Sequence, residues 1–172
     1  MATATRSQWD DIGAHPDNGP DARADRFLEQ LRRLGANQAG FPVDELTHSL
    51  QTAARAEVAG ADDEVILGAL FHDIGHVFGD QGHGIVAAEL LAPHVRTDVV
   101  DVVRYHTDFT SRHYAKVFDA DPDRRVRFRY EPWFDLAEQF ADEWDQASFD
   151  PSYPTPPLAH FEPLVRALVL ET

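Results

Sequence analysis

Apolar residues recur every three or four positions through most of the chain, a spacing that predicts helices rather than strands. From Asp21 onward, Phe27, Leu28, Leu31 and Leu34 fall on one face, with Gly35 placed to stop the helix. A second helix, VDELTHSLQTAARAEVAG, turns Leu46, Leu50, Ala53 and Ala54 inward and stops at Gly60. DDEVILGALFHDIGH opens with acids suited to a helix N-terminus and then becomes apolar almost all round, the pattern of a central buried helix. HGIVAAELLAPHV and TDVVDVVRYH carry the period through Ile85, Ala88 and Leu91, then Val99, Val102 and Val103, with His106 ending the helix. Residues 119–129, DADPDRRVRFR, read as an acidic then basic loop. Beyond it, EPWFDLAEQFADEWDQASF places Trp133, Leu136, Ala137, Phe140 and Trp144 along one core stripe. PSYPTPP breaks the chain, and PLAHFEPLVRALVLE closes it with Leu158, Phe161, Leu164 and Leu168 inward. The expectation is an all-α bundle, one domain over residues 21–172, preceded by a polar, aperiodic and flexible tail over residues 1–20.

Composition narrows the chemistry. A formal charge of -15 rests on 30 acids, against fourteen Arg and the single Lys116. That field repels phosphate backbones and anionic lipid heads, so neither nucleic acid nor membrane is expected as a partner. With no Cys in the chain, thiolate sites and disulfides are excluded, and any metal must be held by His and carboxylate, a set that suits zinc, iron or manganese. The N-terminus lacks the basic start and apolar run of a signal peptide, and no segment reaches the length of a membrane span, so a cytoplasmic protein is expected.

LFHDIGH, residues 70–76, is the stretch that carries a chemical demand. Nine His and twenty Asp predict about one adjacent His-Asp pair by chance, so the pair proves nothing by itself. Its apolar lead-in, VILGALF, changes that, because an ionised Asp73 at the end of a buried helix needs a cation. No Arg or Lys lies within a turn of Asp73, whereas His76 lies one turn from His72 on the same face. A metal is the simplest local answer. His48, with Gln51, Thr52 and Arg55 after it, forms a polar stripe beside the apolar one, and His83, His106 and Asp145 stand near other helix ends. His15, His94 and His160 are read as ordinary hydrogen-bonding groups, and Trp133 and Trp144 as core.

Taken in order, HSLQTAARAE, LFHDIGH, GHGIVAAELL, RYH and EWDQASFDP resemble the HD-domain superfamily of metal enzymes. GFPVDELTHSLQTA, WDQASFDP and TPPLAHFEPLVRAL look most like its branch of mixed-valence diiron oxygenases, which includes phosphonate-cleaving enzymes and, more distantly, myo-inositol oxygenase. The resemblance runs from about Ala39 to Leu170. It implies an HD-domain helical bundle with a dinuclear metal site, in which His48, His72 and Asp145 bind one iron, His83 and His106 the other, and Asp73 bridges them. It further implies a mixed Fe(II)/Fe(III) pair that binds a small substrate through its hydroxyl or amine and uses O2 to oxidise or cleave it. His76 and Asp73 are then the candidate catalytic groups. Gln51, Arg104, Asp108, Thr110, Arg112 and His113 are the candidate substrate-binding residues, with Arg104, Arg112, Arg124, Arg125, Arg127 and Arg129 suited to an anionic group.

The chain departs from the phosphonate-cleaving members in three places. Thr110 stands where they carry a Lys, no Gly-rich QGG loop lies between His113 and Tyr130, and GANQAGFPVDE offers no Tyr for a Tyr and Glu lid. The resemblance therefore carries the oxygenase further than it carries phosphonate as substrate. The same ligands also serve HD-domain phosphohydrolases, which use Mn or another divalent metal to activate water against a phosphate ester. That reading stays open beside the oxygenase, whereas a degraded regulatory domain without turnover is opposed by the complete ligand set.

Overall fold

Polar caps start the helices and apolar stripes close them around one core. The computed structural model describes residues 3–37 and 40–170; Met1 and Ala2 of the expected tail, Gln38 and Ala39, and Glu171 and Thr172 at the end of the expected last helix lie outside the described residues. Eight α-helices and no strand occur among the described residues: α1 (Arg6–Gly13), α2 (Pro20–Leu34), α3 (Glu45–Val58), α4 (Asp63–Phe71), α5 (His83–Leu91), α6 (Thr97–Phe118), α7 (Phe134–Gln139) and α8 (Leu158–Leu170). The all-α expectation holds. None of these helices is long and apolar enough to cross a membrane.

Asp44 caps α3 by accepting a hydrogen bond from the Thr47 N–H at 2.9 Å, and Asp62 caps α4 through the Val65 N–H at 3.1 Å. Both satisfy donors that a first helical turn leaves free. The centre of the bundle is α4, whose residues Val65 to Phe71 are all buried, as its all-round apolar pattern predicts. It packs closely on α6 at Gly68, where a Cβ would stand 2.7 Å from Val99 Cγ1. α3 lies along α4, α5 along α6, and α2 against α8. Phe27 and Leu31 of α2, with Phe161, Val165 and Val169 of α8, complete the core.

Several elements differ from the pattern read along the chain. Residues 6–13 of the expected tail form α1, started by a reciprocal cap between Thr5 and Gln8, although none of its residues is buried. α6 does not end at His106 but runs on for three more turns to Phe118, because Asp108, Thr110 and Ser111 are buried polar residues that hide the apolar period. Ile85 is 54% exposed: Gly84, Ala87, Ala88 and Leu91 form the buried face of α5 instead. The last core stripe holds, with Trp133, Phe140 and Trp144 buried, but the helix beneath it changes to a π-helical turn over Phe140–Asp145. In α8, Phe161, Val165 and Val169 are deepest, and Leu158, Leu164 and Leu168 flank them. The expected loop over 119–129 contains a 3-10 turn, Arg124–Phe128.

Candidate metal centre

Five elements deliver donor atoms to one end of the bundle. His48 comes from the middle of α3, His72 and Asp73 from the turn that ends α4, His83 from the first residue of α5, His106 from α6, and Asp145 from the end of the π turn. Two glycines make this convergence possible. A Cβ on Gly75 would lie 2.3 Å from the His83 carbonyl oxygen, so only glycine lets the His72–Asp73 turn touch the start of α5. A Cβ on Gly84 would lie 3.0 Å from the Val103 carbonyl and 3.1 Å from the His106 ring, so Gly84 sets how closely α5 meets α6. The π turn has its own effect, since an extra residue per turn re-aims the side chains that follow it, and Asp145 closes that turn.

The donors fall into two groups joined by Asp73. In the first, His48 Nε2 lies 3.1 Å from His72 Nε2 and 3.3 Å from Asp145 Oδ1, and Asp73 Oδ2 lies 3.3 Å and 3.2 Å from the two imidazoles. In the second, His83 Nε2 and His106 Nε2 are 3.1 Å apart and each stands 3.3 Å from Asp73 Oδ1. Each carboxylate oxygen of Asp73 thus faces one group. All four imidazoles present Nδ1 to a backbone carbonyl, of Ser148, Ala69, Asp80 and Val103, at 2.7–3.1 Å. A carbonyl only accepts, so each Nδ1 carries the proton and each Nε2 is free to point its lone pair into the cluster.

Lone pairs that meet at such distances need a cation between them. Burial disfavours a charged His48, but the hydrogen bonds it donates to Asp145 and Asp73 and the charge of Asp145 outweigh it and raise its pKa to about 9. His72 is likewise raised against the effect of burial by the charges of Asp73 and Asp145, and both carboxylates are held below their usual range, despite burial, by the imidazoles beside them. Without metal, protons therefore fill the first group. His83 has no such remedy, since burial lowers its pKa to about 4 against the opposing charge of Asp73. Asp73 Oδ1, buried among these nitrogens, has no hydrogen-bond partner. Donors about 2.1 Å from one ion stand about 3.0–3.4 Å apart, so the spacing and the N/O donor set fit first-row metal ions.

A cavity of about 570 Å³ opens onto this cluster, lined by His48, Asp73, His83, His106 and Asp145 and by further residues of α3 and α6. His76 also lines it, stacked on His83 at 3.9 Å, with Nδ1 3.2 Å from Asp80 Oδ1 and Nε2 3.7 Å from Asp73 Oδ1. Thr110 and His113 reach the same cavity, Thr110 bonded to the Tyr114 hydroxyl at 2.6 Å and His113 to Asp142 at 2.7 Å. Arg104 and Asp108 line a neighbouring cavity of about 300 Å³ that shares Asp80, His83 and Thr107 with the first. Gln51 is brought to neither; its buried amide donates to the Asp150 carbonyl at 2.8 Å and to Thr155 Oγ1 at 2.9 Å, fastening the segment after the π turn. Arg112 is exposed and also lines neither cavity.

Four of the six expected anion-binding arginines are engaged with acids. Arg124 pairs with Asp108 at 2.6 Å and Arg127 with the other oxygen of the same carboxylate; Arg125 is buried against Asp142 at 3.0 Å and Glu138 at 3.3 Å, and Arg104 meets Glu89 at 2.9 Å. Arg129 lies over the ring of Tyr130. None of them lines the larger cavity, and Arg104 and Arg127 line the smaller one. Sequence reasoning missed Phe41, Glu45, Tyr114, Phe118 and Phe149, all of which line that cavity. Glu45 had a usable signal, standing three residues before His48 and so on the same helix face. Burial, then the charge of Asp73, raises its pKa.

Residues 46–150 match the HD domain family model, and the chain belongs to the HD-domain family. A similar protein is the [1-hydroxy-2-(trimethylamino)ethyl]phosphonate dioxygenase (glycine-betaine-forming) of Leisingera caerulea, 30% identical over 167 aligned positions that cover 80% of this chain and 85% of the relative. The two findings support an HD-domain oxygenase in general, and the His/Asp clusters are of a kind that could hold metal.

Proposed function

We propose that this chain is a non-haem diiron oxygenase that uses O2 to oxidise or cleave a small polar substrate at a carbon bearing a hydroxyl or amine. The substrate class favoured is the phosphonate-like hydroxy or amino compound, in keeping with the similar dioxygenase, whose own substrate is a hydroxylated phosphonate. The observation that carries the reading is the pairing of imidazoles: two Nε2-to-Nε2 approaches of 3.1 Å, each facing one oxygen of Asp73. On this reading His48, His72 and Asp145 would hold one iron, His83 and His106 the other, and Asp73 would bridge them. Irons bound there would supply the electrons that reduce O2 and the Lewis acidity that draws in the substrate oxygen or nitrogen.

The protein's own part is orientation, dryness and proton handling. Carbonyl acceptors fix all four rings, which removes the freedom that would otherwise weaken binding. Phe149 stacks on His48 at 4.0 Å and Phe140 meets His72 edge-on at 5.4 Å, keeping water from the inner group. His76, oriented by Asp80 at the cavity wall, is placed to accept a proton from a substrate hydroxyl at Nε2. A cavity of about 570 Å³ suits a small molecule.

The test is oxygen uptake by iron-loaded protein offered a panel of 1-hydroxy- and 2-amino-phosphonates and related hydroxy acids. Substrate-dependent uptake with carbon oxidation supports the proposal. Phosphate release from phosphate esters by the Mn(II)-loaded protein, with no oxygen uptake on any member of the panel, would replace it with a phosphohydrolase.

A further inference from the structure

Arg125 is the only Arg or Lys buried among the described residues, 4% exposed in the 3-10 turn Arg124–Phe128. It lines neither cavity. Its guanidinium donates from Nη1 to both carboxylate oxygens of Asp142 at 3.0 Å and sets Nη2 3.3 Å from Glu138 Oε1. From α6, His113 donates to the same Asp142 carboxylate at 2.7 Å. A buried ion pair is a weak source of stability, since apolar groups of similar volume often serve as well or better, and its best-attested use is to fix a register. The register within reach of Arg125 is that of the π turn.

Glu138 belongs to α7 and Asp142 to the π turn Phe140–Asp145, so the guanidinium spans the point where the helix widens. π turns are rare, because the α-helical bonding pattern competes with them. FADEWD contains no Gly or Pro to forbid an α-helix, so the wider turn has to be held by its surroundings. Part of the hold is local: the Gln146 N–H bonds the Ala141 carbonyl at 3.2 Å, and the Gln146 side chain the Asp142 carbonyl at 3.0 Å. The rest comes through Asp142, tied to the 3-10 turn by Arg125 and to α6 by His113. Were the turn to relax to an α-helix, Asp145 would swing about 100° around the axis. That would end its 3.3 Å contact with His48 Nε2. We infer that Arg125 is a positioning residue of the metal centre: clamped on Glu138 and Asp142, it holds the π turn in the register that presents Asp145 to the first donor group. It acts without touching metal or substrate. The inference rests on the proposed reading in which Asp145 is a donor, and goes beyond it by naming what aims that donor.

The experiment is cobalt(II) titration of the metal-free chain, followed by visible absorption, in wild type, Arg125→Gln, Arg125→Lys, Asp145→Ala and the double variant Arg125→Gln/Asp145→Ala. Circular dichroism checks that each is folded at the temperature used. Arg125→Gln should weaken one of two cobalt-binding steps about tenfold, the same step that Asp145→Ala weakens, and leave the other within about twofold. Arg125→Lys keeps the charge but cannot fork across both acids, so it should lose about threefold at that step; if Arg125→Gln does not fold, the double variant is made with Lys. In the Asp145→Ala background the Arg125 substitution should cost nothing further, because the donor it aims is gone. Equal weakening of both steps, additive losses in the double variant, or wild-type affinity in the Arg125 variants would each overturn the inference. Cobalt binding unchanged by Asp145→Ala would overturn it together with the donor assignment, whereas a loss in Asp145→Ala with none in the Arg125 variants would overturn the inference alone.

Discussion

The two donor groups share Asp73 but are held by the chain in different ways. His48, His72 and Asp145 sit inside the bundle, none more than 5% exposed, each on an element whose position the core decides. His83 stands at the first residue of α5, after Gly82 in the left-handed conformation, with 13% of its side chain exposed, and it borders both cavities. The inner group is backed by Phe140 and Phe149; both groups reach the larger cavity, and the outer one reaches the smaller cavity too, through His83. On the proposed reading, the inner ion would be held fast and the outer position would be the more open to substrate. Protonation follows the same divide, since the inner imidazoles are held charged in the absence of metal and His83 is held neutral.

Removing the shared residue should break the comparison outright. Asp73→Ala should lose metal from both groups and fall to background activity, read by iron analysis of the purified protein; iron equal to wild type would remove Asp73 as the bridge. Gly75→Ala should come next. A Cβ 2.3 Å from the His83 carbonyl forces α5 away from the His72–Asp73 turn, costing about 2–3 kcal/mol of stability and emptying the outer group first. Denaturant midpoints and iron content check it, and an unchanged midpoint would contradict the close approach.

The divide in protonation gives a subtler prediction. A group whose pKa is raised by folding stabilises fully below its unfolded pKa, and that contribution is lost as pH rises through the folded value. For His48, raised from 6.5 to about 9, the stability of the chelated protein should decline between those values, and the loss should vanish in metal-loaded protein, where metal replaces the protons. Metal titration at neutral pH in weak buffer should release protons from the inner group, and His106→Ala, expected to keep that group loaded, should release nearly as many. Release abolished by His106→Ala would reverse the assignment. Arg112→Ala should do least: exposed and away from both cavities, it should leave KM within about twofold.

Much of the inner frame was legible because it rests on signals that survive without a partner. The acids at Asp62 and Asp63 mark the start of α4, its apolar run marks burial, and Asp73 at its end demands a cation. What could not be read depends on who meets whom. The arginines around Arg124 look like an anion site until Asp108 and Asp142, sixteen or so residues away, are seen to hold them. Ile85 looks like a core residue until Gly84 is found taking the contact with α6. FADEWD has the composition of an α-helix, and only its packing turns it into the π turn that presents Asp145. The run of α6 past His106 was hidden by polar residues that are buried.

Whether two metal positions share Asp73 is decided by low-temperature EPR of iron-loaded protein, poised by partial reduction and paired with iron quantitation. Two irons per chain and a coupled mixed-valence signal that Asp73→Ala abolishes are expected. One iron per chain with only an isolated-ion signal, unchanged by Asp73→Ala, would contradict it.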